Sequence, residues 1–247
     1  MNLDFWTRTS GTWINIIAIL VGTLLGLLLQ NRLPQKMQQI LTQALGILTI
    51  WIGVTMADSL NQAQGGKIDG IILGLLALTI GGILGEALQI EDRLAAIGDW
   101  LQRRFRSKGR FTEGFVASSL LFCVGSLAVL GSLNNGLTGD NTLLILKAVM
   151  DAIASIALTS SYGIGVGFST LSILLYQGSI SLAAGSLANF IPDPQTDPRI
   201  FLVTGVGGLT ILGLGLNLLE VTRIRIASFL PAIALAPFIY WLGDRLS

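Results

Sequence analysis

Gly11-Thr-Trp-Ile-Asn-Ile-Ile-Ala-Ile-Leu-Val-Gly-Thr-Leu-Leu-Gly-Leu-Leu-Leu-Gln30 holds no charged residue. About 20 apolar residues suffice for a helix to cross the hydrocarbon core of a bilayer. The run has no basic leader before it and no small-residue cleavage site after it, so it reads as a retained span and not a signal peptide. Similar runs recur along all 247 residues, of which 52% are hydrophobic and only 12% charged. Mean hydropathy is +0.73. A soluble domain carries about twice that share of charge. The sequence therefore predicts an all-α integral membrane protein, a polytopic bundle of about eight transmembrane helices with Gly-rich central helices open to breaks.

The spans are expected near 11–31, 39–59, 69–90, 113–133, 141–161, 164–188, 200–220 and 226–243. No Pro- or Ser-rich linker divides them, so 1–247 reads as a single transmembrane domain. Ten Lys and Arg residues fall on one side of this arrangement and four on the other. The larger group includes Arg103, Arg104, Arg106, Lys108 and Arg110. Positive charge marks the cytoplasmic side, which places both termini outside the cytoplasm. In the long connection near 92–108, Leu94, Ile97, Leu101 and Phe105 share one helical face, and an amphipathic helix lying in the interface beside lipid headgroups is expected. Trp6, Trp13 and Trp241 near span ends suit the interfacial aromatic belt.

Several functions are disfavoured from the outset. Net charge is +1, which offers nucleic acid no electrostatic footing. Histidine is absent and there is one cysteine, Cys123. The commonest acid-base group and metal ligand is therefore missing, and no disulfide, metal site, cofactor motif or hydrolase signature is found. An enzyme working through carboxylates alone ranks last.

Chemistry is concentrated in the fifth span. Lys147, Asp151, Ser155 and Thr159 recur every four residues and form one polar stripe along a helix. Charges inside a bilayer are rare and costly unless paired or hydrated, and the spacing lets Lys147 and Asp151 touch. The pair either fixes helix packing or lines a path on which one partner exchanges its contact for a substrate ion or proton. Upstream, Asn134-Asn-Gly-Leu-Thr-Gly-Asp140 is a poor helix interior. It reads either as a turn in which Asp140 caps the next helix or as a broken segment where Asn135 and Asp140 bind a cation. Downstream, Ser160-Ser-Tyr-Gly-Ile-Gly-Val-Gly-Phe-Ser169 supplies glycines for close helix packing, or, less simply, carbonyls for an ion filter. Gln177 needs a partner in the middle of the sixth span. Asn15 and Gln43 have interhelical hydrogen bonding as their default role. Glu86, near the cytoplasmic end of the third span, either snorkels to the interface or takes a proton-linked role. Gly22 and Gly26 in the first span and Gly81 and Gly85 in the third repeat a small-residue spacing that admits close backbones, or that marks a duplicated hairpin.

Phe122-Cys-Val-Gly-Ser-Leu-Ala-Val-Leu-Gly131, Gly136-Leu-Thr-Gly-Asp140, Lys147-Ala-Val-Met-Asp151, Gly163-Ile-Gly165 and Leu174-Leu-Tyr-Gln-Gly178 together resemble the YqgA/YdfK-like family of uncharacterised bacterial inner-membrane proteins. Gly11-Thr-Trp-Ile-Asn15 and Gly22-Thr-Leu-Leu-Gly26 extend the resemblance over nearly the whole chain. It implies a multi-pass protein of the bacterial cytoplasmic membrane and, by association only, transport. The family pattern implies an acidic residue where this chain carries Asn135, which weakens a second carboxylate ligand beside Asp140. The leading expectation is a secondary transporter for a small ion or polar solute, coupled to protons or a cation. Asp140 and Asp151 would bind or exchange the cation, Lys147 would be the countercharge, the broken backbone around 134–140 and 160–167 would shape the site, and Asn135, Ser155, Thr159 and Gln177 are further candidate ligands. A passive ion channel and a non-transporting assembly or regulatory protein are the rivals. Membrane lipids and the solute are the expected partners, with a homo-oligomer left open.

Overall fold

The computed structural model describes residues 4–30, 32–64, 67–107, 109–188 and 196–246. Position 31 of the first expected span, Lys108 and Ser247 lie outside them. Among the described residues ten α-helices follow in order: α1 (Phe5–Gln30), α2 (Gln35–Ala57), α3 (Gly70–Ala87), α4 (Ile90–Arg104), α5 (Phe111–Cys123), α6 (Ser126–Thr138), α7 (Thr142–Tyr162), α8 (Ser169–Ala188), α9 (Pro198–Leu218) and α10 (Leu230–Leu246). Short 3-10 turns cover Asp58–Gln62, Ile164–Phe168 and Ile226–Phe229. Seven of the described helices are long and apolar enough to cross a membrane, or eight when α5 and α6 count as one bent span. The protein is thus an all-α multi-pass membrane protein. Its exposed side chains include Ile17, Leu24 and Leu28 on α1 and Leu175 on α8, the surface expected where lipid is the solvent.

The span expected at 113–133 is not one straight helix. Phe111–Cys123 and Leu127–Thr138 meet at a bend of 61°, and Gly125 between them takes φ +152°, a conformation that L side chains avoid. The segment Asn134–Thr138, expected as a turn or a broken stretch, is instead the last turns of α6. Its weak helix propensity is overridden by tertiary bonds. Asn135 donates to the Thr7 carbonyl (3.0 Å) and Ser10 Oγ (3.1 Å), and its own Oδ1 accepts from the Gly11 N–H (3.0 Å). Gly136, with no side chain, lets α6 approach the Ser181 carbonyl of α8.

The chain divides into two compact units. The first holds Met1–Leu45, Ile97–Cys123 and Leu127–Pro192. Its axis is the pair α1 and α7, which run parallel: Gly11 meets Leu144, Gly22 meets Ala152 and Ser155, and Gly26 meets Ile156 and Thr159. A Cβ on Gly26 would lie 2.7 Å from the Ile156 carbonyl oxygen, so the backbones touch only because side chains are absent there. At the end of α7, Gly163 takes φ +81° and the chain reverses into α8. This helix runs antiparallel to α1, with Gly167 at Thr23, Gln177 at Asn15 and Ser181 at Arg8. Arg8 donates to the carbonyls of Gly136, Ser181 and Leu182. In the α4 portion of this unit, Gly98 and Leu101 are buried, while Ile97 and Trp100, and Phe105 just after the helix, are exposed.

The second unit holds Gly46–Ala96, Val124–Ser126 and Asp193–Ser247. Its core packs Leu60, Leu73 and Ala77 with Leu202, Val206, Ala232, Ala236 and Ile239. Gly81 and Gly85 admit Ala232 and Ser228 of the antiparallel neighbour region, and Gly53 and Gly208 bring α2 against α9. The small-residue pairs of α1 and α3 therefore both serve close packing, one against a parallel helix and one against an antiparallel helix. Asn217 closes the turn after α9 by pairing both ways with the Ile224 backbone, at 2.7 and 2.8 Å.

Candidate functional site

An apolar helix exposes its backbone to nothing but its neighbours, so polar side chains within it must find partners across helices. In the first unit three helices bring such groups to one point. Lys147 and Asp151 of α7 are 6% and 7% exposed, and the Lys147 ammonium donates to Asp151 Oδ2. Asn15 of α1 donates through Nδ2 to the same carboxylate oxygen at 3.0 Å and reaches Gln177 Oε1 of α8 at 3.5 Å. Lys147, Asp151 and Gln177 are thus joined by Asn15. The interhelical hydrogen bonding expected of Asn15 is found, and it links Asp151 of α7 to Gln177 of α8. Thr9, Thr12, Asn15 and Thr23 all fall on the buried face of α1, and the spacing of three from Thr9 through Thr12 to Asn15 marks a polar face on that helix without naming its partner.

Ser155 and Thr159 continue the stripe along α7 and are fully buried. Ser155 donates to the Ala152 carbonyl (2.8 Å) in its own helix. Seven buried side-chain atoms among the described residues have no hydrogen-bond partner: Thr12 Oγ1, Asn15 Oδ1, Thr23 Oγ1, Ser132 Oγ, Thr159 Oγ1, Gln177 Nε2 and Ser181 Oγ. All seven belong to the first unit. Orphaned polar atoms cost about 1–3 kcal/mol each, and those found among the described residues fall in the same unit as the Lys147–Asp151 pair.

The other sequence-derived candidates lie elsewhere. Asn135 is wholly engaged in binding α6 to α1. Asp140 is exposed and caps α7, accepting from the Thr142 N–H (2.9 Å) and Oγ1 (2.6 Å). Those two bonds, the hydroxyl first, hold its carboxyl below the usual carboxylate range. Glu86 is exposed in the second unit, where it accepts from Ser228 Oγ and pairs with Arg225 at 3.0 Å. Arg225 also pairs with Asp92, and Glu91 accepts from the Ala227 N–H. Burial pushes the Glu91 carboxyl up despite that bond. Gln43 is exposed. The glycines of 163–167 pack against Gln30, Phe111 and Thr23.

A multi-pass helical membrane protein with a buried lysine–aspartate pair is the class these features define. Over residues 10–241 the chain matches the family described as "Protein of unknown function (DUF554)", and it belongs to that family. It is similar to "Uncharacterized membrane protein YdfK" of Bacillus subtilis (strain 168), at 32% identity over 232 residues, which covers 94% of this chain and 96% of that one. It is also similar to "Uncharacterized protein YqgA" of Escherichia coli (strain K12), at 28% identity over 233 residues, covering 92% and 94%. These are the relatives that the motifs around Phe122–Gly131 and Lys147–Asp151 pointed to. No solved structure matches the chain.

Proposed function

We propose that the protein is a small secondary transporter of the bacterial cytoplasmic membrane. It moves a small ion or polar solute, coupled to a proton or cation at the Lys147–Asp151 pair. One observation carries this reading: buried opposite charges on a membrane helix sit among polar groups that are not all paired. A buried network that serves only to lock helices is most stable when every member is satisfied. An exchange site needs the opposite, groups free to meet an incoming solute. Asp151 makes the exchange, Lys147 is its countercharge, and Asn15 and Gln177 hold the pair in register. No catalytic chemistry is assigned to the chain, and its partners are lipid and solute, not nucleic acid. Both termini lie outside the cytoplasm, a reading supported by the ten-to-four distribution of Lys and Arg.

The test is a flux screen in proteoliposomes over small ions and polar solutes, with and without a pH gradient. Saturable flux that responds to the gradient is the expected result. Flux that rises linearly without saturation would identify a passive channel instead. A screen in which nothing moves would leave the pair as a packing device.

A further inference from the structure

The charge balance of the first unit, taken together with the transport reading above, narrows the solute. Among the described residues, Lys147 and Asp151 are the only charged side chains that are buried. They neutralise each other, so the resting site carries no net charge. A cation loaded alone would leave a positive charge uncompensated at membrane depth, and an anion loaded alone would leave a negative one. Either costs several kcal/mol. A proton and a monovalent anion loaded together leave the sum at zero.

The unpaired groups favour the same pair of ligands. Gln177 Nε2 is a donor with no acceptor. Lys147 has three N–H donors, one of them directed at Asp151 Oδ2. Thr12 lies one helical turn from Asn15, and Ser181 one turn from Gln177. Both hydroxyls are fully buried and unpartnered. Asn15 suits both protonation states of Asp151. It now donates to the carboxylate, and its Oδ1 is unpartnered, so a turn of the amide lets that oxygen accept from a carboxylic acid. Cys123 of α5 is a titratable group in electrostatic reach of both charges. Tyr176 of α8 is in reach of Cys123, and Arg8, two turns before Asn15 on α1, is engaged with three backbone carbonyls.

We propose that the protein carries a small monovalent anion, a halide or short carboxylate, together with a proton, Lys147 taking the anion and Asp151 the proton. The proton forms an O–H bond on Asp151, and its ion contact with Lys147 breaks. The ammonium keeps all its protons and turns to the anion, which Gln177 Nε2 also meets. Net charge is zero before and after. Release reverses both steps.

The full-length protein in liposomes with trapped pyranine tests this. Inward gradients of chloride, bromide, pyruvate or lactate are applied, with membrane potential clamped by potassium and valinomycin. At least one gradient should acidify the lumen at a rate independent of the clamped potential, and Asp151→Asn should lose that acidification. The potential-independence is read on the wild type, so the outcome does not depend on the variant folding. Flux that follows the potential, flux of Na⁺ or K⁺ without an anion, or other solute flux with proton uptake indifferent to all these anions overturns the proposal while leaving transport standing. If no ion or solute moves in either screen, the transport reading falls with it.

Discussion

Asn15 Nδ2 and the Lys147 ammonium converge on the same atom, Asp151 Oδ2, from two different helices. The carboxylate is thereby held from α1 as well as from its own helix, and Asn15 is the link that carries its position to Gln177 on α8. Replacing Asn15 with Ala removes a donor to a buried charge and leaves Gln177 Oε1 without it. A loss of about 1–3 kcal/mol is expected, read as a lower melting midpoint in detergent. Asn15→Asp should be worse, because it sets a second carboxylate against Asp151. If Asn15→Ala melts with the wild type, the Asn15–Asp151 bond does not contribute to the fold.

The approach of α1 to α7 makes a separate prediction. A methyl group at Gly22 would overlap the Ala152 carbonyl and Ser155 Oγ. Backbone cannot move aside as a flexible side chain can, so Gly22→Ala should cost about 1–3 kcal/mol through overpacking. Gly185, in α8, has nothing within 4 Å of its added Cβ. Gly185→Ala should be neutral or stabilising by up to about 1 kcal/mol. Equal melting midpoints for the two variants would contradict the parallel contact.

The helices could be read from sequence because a bilayer leaves a spanning chain few alternatives: long apolar runs must be helical to satisfy their backbone. The stripe Lys147, Asp151, Ser155, Thr159 was readable for a similar reason, since helical period alone puts its members on one face. Asn15 was not readable as a member of the cluster. Its partner Asp151 is 136 positions away, and no local pattern encodes such a pairing. The helical end of α6 is not legible in the sequence, because Asn134-Asn-Gly argues for a turn by propensity, whereas Asn135 is held in the helix by bonds to α1. Asp140 was readable only as one of two alternatives, and the exposed cap at Thr142 is the geometry found. The bend at Gly125 left no clear trace, because a single glycine in an apolar run is common in membrane helices.

Topology is open to a direct measurement. Arg103–Arg110 should face the cytoplasm and both chain ends the opposite side, given the charge distribution. A periplasm-active reporter fused after Ser247 should be active. Activity of a cytoplasm-only reporter at that position would invert the arrangement.

Asp140 separates a helix cap from an ion ligand. Asp140→Asn keeps a side-chain oxygen for the Thr142 N–H, and Asp140→Ala removes it. Asp140→Ala should lower the melting midpoint and Asp140→Asn should hardly do so, with flux intact in both once a substrate is known. The pH dependence has a definite sign. The carboxyl is lowered in the fold from its ordinary value of 3.8, so its stabilisation is present above that value and is lost as pH falls through the lowered one. The advantage of wild type over Asp140→Ala should therefore fade in that acid range. Loss of flux in Asp140→Asn would return this residue to the transport site.

The buried pair itself decides between a lock and an exchange site. Removing one partner leaves an uncompensated buried charge, and Lys147→Met and Asp151→Leu should each destabilise the protein by about 3–5 kcal/mol. The double variant removes both charges, and its folding should recover, because the attraction within a buried pair roughly offsets its desolvation. Recovery is expected under either role, so folding alone does not discriminate. Flux does. If the charges only hold α7 in place, the refolded double variant transports as the wild type does. If Asp151 exchanges its Lys147 contact during each cycle, the double variant folds, inserts and melts normally yet moves nothing, since no apolar side chain can take up or release an ion. The second result is expected. Wild-type flux in a stable Lys147→Met/Asp151→Leu protein would assign the pair to packing and remove it from the transport site.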